Sequence, residues 1–183
     1  AVLCGDALIV LAFESLSTAS LNFPERLGPM IGVLARSSGM PTGICSGQGW
    51  ESEKTIDLRA YHKLKTASLF VAATQMGAIS AGEDPEPWTE LGTRIGEAFQ
   101  VADDLKDFAE TKESGKSNNR DAENDRPNAV LKLGKNGAIN RLQDILSGAI
   151  ASIPSCPGEV DLIKIVRKQA ERLTPVQPLQ KTL

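Results

Sequence analysis

The sequence predicts an all-α chain, a set of antiparallel helices around a central cavity. Three observations lead there. Apolar residues make up 41% of the 183 residues and aromatics only 4%, so Ala, Leu, Ile and Val carry the core, which suits closely packed helices. No stretch alternates apolar and polar residues as a half-buried strand does. Pro, Gly and Asp fall where helices start and stop. Ala1 to Leu16 is apolar almost all round, the pattern of a buried helix. Pro24 opens a second helix at a favoured first position and runs it to about Ser38, with Gly39 closing it. Gly43 to Glu53 is Gly-rich and predicts a short helix. Asp57 can cap a long helix from Leu58 to Ala81, and Gly82 can end it. Pro85 and Pro87 introduce a helix from Leu91 to Phe108. Residues 110 to 128 form one long polar segment, and segments this long inside a compact domain are usually functional or disordered. Two helices follow, Ala129 to Ile153 with Gly134 as a candidate break, and Glu159 to Leu173, parted by Pro154 and Pro157. No internal repeat or linker divides the chain, so it reads as one domain or most of one.

Composition narrows the function. A net charge of -3 argues against a general nucleic-acid surface. Cys4, Cys45 and Cys156 are an odd set without CxxC spacing, and His62 is the single histidine. They make neither a disulfide framework nor a zinc site, so the compartment reads as reducing cytoplasm. No apolar run reaches the length needed to span a bilayer, and no signal peptide is apparent. The chain opens without Met inside an apolar helix, which predicts sequence upstream of Ala1.

The most informative residues are Asp103, Asp104 and Asp107, near the end of the helix LGTRIGEAFQVADDLKDF. Positions 103 and 107 share a helix face, and like charges at that spacing repel. The helix C-terminus also disfavours anions. Lys106 is the only basic residue in the cluster. A divalent cation would compensate, and Mg²⁺ takes one or two carboxylates together with substrate phosphates. A solvated acidic helix end is the plain alternative.

Other candidates are weaker. Lys65 and Thr66 lie mid-helix in YHKLKTASLFVAATQMGAISA, where a lysine needs an anionic partner or must snorkel to water. Gln100 shares the face of Asp103 and Asp107. Gln48 and Glu51 lie one turn apart and fit helix–helix hydrogen bonding as well as a site. His62 has no nucleophile pattern near it and is given no catalytic role. The run from Gly115 and Lys116 through Arg120, Asp121 and Arg126 could clamp phosphate, or could be a solvated loop. It is not a P-loop, since GxxxxGK[ST] is absent.

In their order, GDALIVLAFE, GICSGQGWESE, YHKLKT, FQVADDLKD and GKSNNRD resemble the trans-isoprenyl diphosphate synthases, the polyprenyl synthetase family that makes farnesyl and geranylgeranyl diphosphate. The resemblance covers essentially the whole chain. GMPTGIC and AIASIPSCPGE look most like geranylgeranyl diphosphate synthases of photosynthetic and carotenoid-forming bacteria. The resemblance implies a prenyltransferase of the isoprenoid synthase fold, usually a homodimer, condensing an allylic diphosphate with isopentenyl diphosphate. It implies Mg²⁺ on Asp103, Asp104 and Asp107, of the second aspartate-rich motif. It implies Lys65 on the allylic diphosphate, Thr66 near the reacting carbon, Gln100 at the same site and Lys116 on a phosphate-binding loop. Arg120, Arg126 and Asn128 stand where the family usually has Lys, Lys and Thr, and arginine is not equivalent to lysine as a phosphate ligand.

The first aspartate-rich motif and the isopentenyl diphosphate site of such enzymes would precede Ala1. Three readings follow: the C-terminal portion of a catalytic enzyme, a noncatalytic partner subunit, or a helical interaction module. Lys65, Gln100 and the three aspartates favour the first. Taken by itself, the chain is then expected not to elongate prenyl diphosphates, because half of the site is elsewhere.

Overall fold

The computed structural model describes residues 2–50, 53, 61, 63–114 and 128–173, and among these there is no strand. The helices are α1 (Val2–Ala19), α2 (Pro24–Ser38), α3 (Ile44–Gly49), α4 (Ser68–Ala81), α5 (Thr89–Ser114), α6 (Ala129–Ala151) and α7 (Glu159–Leu173). A π turn, Lys63–Ala67, leads directly into α4. The all-α prediction holds. Asp57, Leu58 and His62 lie outside the described residues. The chain divides into two compact units, Ala1–Gly96 and Glu97–Leu183.

In the first unit α2 packs on α4. Pro24 begins α2, and the core is Met30 and Val33 against Ala72 and Ile79, with Leu16 and Met76 at its margin. Gly82 ends α4 in the left-handed conformation, φ 84°, which an L side chain adopts only with strain. Its N–H and that of Glu83 return to Ile79 and Ala78 carbonyls. The Arg26 guanidinium lies 4.1 Å from the centre of the Phe23 ring and donates to the Ser80 carbonyl, locking the entry of α2 onto the end of α4. The next helix is stitched to α4 by side chains. Thr74 Oγ1 donates to the Trp88 carbonyl at 2.9 Å, and Gln75 Nε2 to Thr89 Oγ1 at 3.0 Å. Gly92 of α5 lies so near α4 that a Cβ there would fall 2.5 Å from Val71 Cα.

Two expectations about α1 are corrected. None of its residues is buried; Leu3 is 83% exposed and Val10 66%. An all-round apolar pattern reports hydrophobicity but not what covers it, and here α1 leans on α2 through one side only. By length and composition Val2–Ala19 is also apolar enough to cross a membrane, with a mean hydropathy of 1.6. Gly5, Asp6 and Glu14 interrupt the contiguous run without lowering the average enough to matter.

The second unit is built on a helical stripe of α5, Ala98, Val101, Ala102 and Leu105, set against Val130, Ala138, Ile139, Leu142, Ile145 and Leu146 of α6. Positions three and four apart fall on one face, which is why these residues meet a single partner helix. Leu142 is fully buried. Gly134, φ 71°, interrupts α6 where the break was anticipated. α7 packs on α6, and both of its ends agree with the sequence reading.

Candidate functional site

The candidate residues lie on two elements. The π turn carries Lys65 and Thr66, both half-buried. Such turns carry one residue more than an α-turn and are frequent at functional positions. Lys65 Nζ donates to Tyr61 Oη at 2.8 Å and stands 5.2 Å from the centre of that ring. Tyr61 is itself 6% exposed. The lysine therefore turns onto a buried phenol, whose ring face and hydroxyl both favour a cation. Tyr61 was not singled out from sequence. Its spacing, four residues before Lys65, was the available signal.

The aspartates lie on α5. The core stripe of that helix leaves Gln100, Asp103 and Asp107 on the other side, since each residue turns the helix by about 100°. Asp103 and Asp107 are exposed and Gln100 half-buried. The Asp103 carboxyl is raised above its ordinary value, first because partial burial strips its solvation, then because Asp107 repels its charge; Lys106 pulls the other way. The structure thus keeps the repulsion inferred from the spacing.

Asp104 behaves differently. It is only 8% exposed. Its Oδ1 accepts from Gln100 Nε2 at 3.1 Å and its Oδ2 from the Ala129 N–H at 2.7 Å. Asn128 Oδ1 accepts from the N–H groups of Val130 and Leu131 at 2.8 and 3.2 Å. Asp104 and Asn128 together cap α6. The three carboxylates do not converge, and among the described residues no group of three His, Cys, Asp or Glu side chains is arranged to hold a metal ion. Two exposed carboxylates one turn apart still fit Mg²⁺, which completes its octahedron with waters and phosphate oxygens.

Gln48 is exposed on α3, whereas Glu51 lies outside the described residues, as do Lys116, Arg120 and Arg126.

Comparison with known proteins shows the family. The family model described as polyprenyl synthetase matches residues 1–174. A geranylgeranyl diphosphate synthase of Cereibacter sphaeroides is 57% identical over 178 residues, which cover 97% of this chain and 62% of that protein. One from Rhodobacter capsulatus is 52% identical over 177 residues, covering 96% and 61%. The chain thus spans about three fifths of the length of these relatives. Among solved structures, a geranyltransferase from Helicobacter pylori complexed with magnesium and isoprenyl diphosphate superposes with a TM-score of 0.71 at 27% identity, over 93% of this chain and 60% of that one.

Proposed function

We propose that this chain, which belongs to the polyprenyl synthetase family, serves a prenyltransferase that condenses an allylic diphosphate with isopentenyl diphosphate to a short prenyl diphosphate, with geranylgeranyl diphosphate the favoured product. The observation that carries the reading is the exposed Asp103–Asp107 face of α5, where repulsion is built in and Asp104 is turned aside.

Loss of diphosphate from an allylic substrate leaves a carbocation and a pyrophosphate anion. Asp103 and Asp107 would hold Mg²⁺, and Asp104 would act behind them by holding Gln100. The metal, when bound, neutralises charge that develops on the leaving diphosphate. Lys65 supplies a fixed cation for the same oxygens, its amine steadied by Tyr61. The Gln100 amide is oriented by Asp104, and the Thr66 hydroxyl lies next to Lys65 in the chain. Small and apolar side chains of α4 give an isoprenoid tail a wall that excludes water from the cation. Lys116, Arg120 and Arg126 would add charge to the diphosphate from the polar segment. The enzyme works in the cytoplasm as a homodimer, with the exposed apolar side of α1 as a candidate contact.

The test uses the full-length protein with Mg²⁺, isopentenyl diphosphate and dimethylallyl, geranyl or farnesyl diphosphate, reading product length. Elongation is expected, and Lys65→Ala should lower turnover by about 10²–10³-fold, the scale for losing one charge-stabilising group. Residues 1–183 alone should bind pyrophosphate weakly and give no elongation. Absence of both elongation and Mg²⁺-dependent pyrophosphate binding in the full-length protein would sink the reading and leave an interaction module.

A further inference from the structure

Lys65 is carried by a turn that departs from α geometry, and two glycines from different helices meet that turn at backbone distance. A Cβ on Gly47 of α3 would fall 2.5 Å from Lys65 N, 2.7 Å from Lys65 Cα and 3.0 Å from the Leu64 carbonyl carbon. A Cβ on Gly96 of α5 would fall 2.7 Å from Ala67 Cα, 2.9 Å from Ala67 Cβ and 3.2 Å from Phe70 Cδ2. Neither glycine has a positive φ, so backbone conformation does not demand glycine at either place. Proximity does. Most of the atoms that would be struck are backbone, which cannot swing aside as a side chain can. Gly77 of α4 offers the contrast, because a Cβ there meets nothing within 4 Å.

We infer that Gly47 and Gly96 are positioning residues: they grip the Lys63–Ala67 turn from two helices and so fix where the Lys65 amine stands. This rests on the reading of Lys65 as a diphosphate ligand. A lysine side chain has four rotatable bonds, and a tether to Tyr61 fixes only its far end. Fixing the near end requires holding the Cα, and Gly47 lies against that Cα. The π turn also holds one residue more than an α-turn, and Ala67 seated on Gly96 keeps that extra residue from relaxing into α4. Gly92 lies on the same face of α5 one turn earlier and meets Val71 and Thr74 instead. A methyl there crowds the same pair of helices without touching the Lys65 turn.

The experiment measures Mg²⁺-dependent binding of inorganic pyrophosphate to the full-length protein by calorimetry, with amide hydrogen exchange over residues 63–67. Displacing a ligand group by about 1 Å can cost as much as about 10²-fold. Gly47→Ala and Gly96→Ala are expected to weaken binding by at least about tenfold, while Gly77→Ala leaves it unchanged. Gly92→Ala should lower the melting temperature about as much as Gly96→Ala, yet weaken binding far less; equal weakening by both would mean general packing and overturn the inference. Gly47→Ala combined with Lys65→Ala should bind no more weakly than Lys65→Ala alone, since both act through one group. Should Lys65→Ala itself bind normally, the diphosphate reading of Lys65 fails and the inference with it. Should Lys65→Ala weaken binding while both glycine variants stay within about twofold of the parent, the diphosphate reading stands and the grip alone is overturned. If the alanine variants do not fold, Ala67→Gly loosens the same contact without adding bulk. It should speed exchange over residues 63–67 and weaken binding several-fold, and unchanged binding would again overturn the grip.

Discussion

The Lys65 turn and the aspartate turn are held by opposite means. The first abandons α geometry and is set by backbone contacts, with Gly47 and Gly96 pressed against it. The second keeps regular α geometry and is set by hydrogen bonds, with Asp104 reaching Gln100 and Ala129. Side-chain length accounts for the difference. An aspartate carboxyl lies close to its own Cα, so helical register alone places Asp103 and Asp107 one turn apart on one face. An amine at the end of a long stem inherits little from register, and packing must supply the rest.

The largest effect is expected in the core behind the aspartates. Leu142 is 0% exposed and sits in the cluster that backs Ala98, Val101, Ala102 and Leu105. Leu142→Ala should cost about 2–5 kcal/mol in denaturant unfolding, from lost transfer energy plus a cavity. A cost below about 1 kcal/mol would mean that the face of α5 opposite the aspartates is not held by a packed core.

A smaller effect separates charge from fold. Asp103→Asn removes one of two repelling carboxylates, so the metal-free protein should hold or gain melting temperature at neutral pH. The sign follows from the proton. The folded state binds the Asp103 proton more tightly than the unfolded chain does, so the ionised group costs stability at neutral pH. As pH falls through the raised folded value toward the ordinary carboxylate value, the parent protonates and the variant's advantage disappears. Persistence of the advantage in acid would show that charge is not its cause. The same variant should raise the Mg²⁺ needed for pyrophosphate binding by at least about tenfold, since even groups behind a metal ligand cost about 10–100-fold. The smallest effect is expected at Asn128→Ala, about 1 kcal/mol for a lost cap, read by thermal unfolding and by faster exchange at Val130 and Leu131. A loss of several kcal/mol there would mean that Asp104 does little to hold the start of α6 on its own.

Punctuation residues made much of the fold legible in advance. Pro24, Gly82 and Gly134 each act through their own backbone, and the structure places a helix start, a left-handed helix end and a break at those positions. The π turn was not legible, because a helical pattern reads straight through Lys63–Ala67. The residues that press on the turn, Gly47 and Gly96, lie far off in the chain. The split among the aspartates was hidden for a related reason. Spacing sets Asp103 and Asp107 on one face but does not show that Asp104 is buried, and the return of the chain at Asn128 and Ala129 is what brings the Ala129 N–H to it. The exposure of α1 was misjudged because hydropathy names the surface that seeks cover without naming the cover. The family, by contrast, was readable from motif order alone.

The capping of α6 has a consequence for where phosphate can go. The start of a helix is ordinarily a ready cradle for an anion, with N–H groups aimed outward and the positive end of the dipole behind them. Here the N–H groups of Ala129, Val130 and Leu131 are already taken by Asp104 and Asn128. The protein has seated its own carboxylate in the cradle. A phosphate approaching this helix end meets a filled socket and a negative charge.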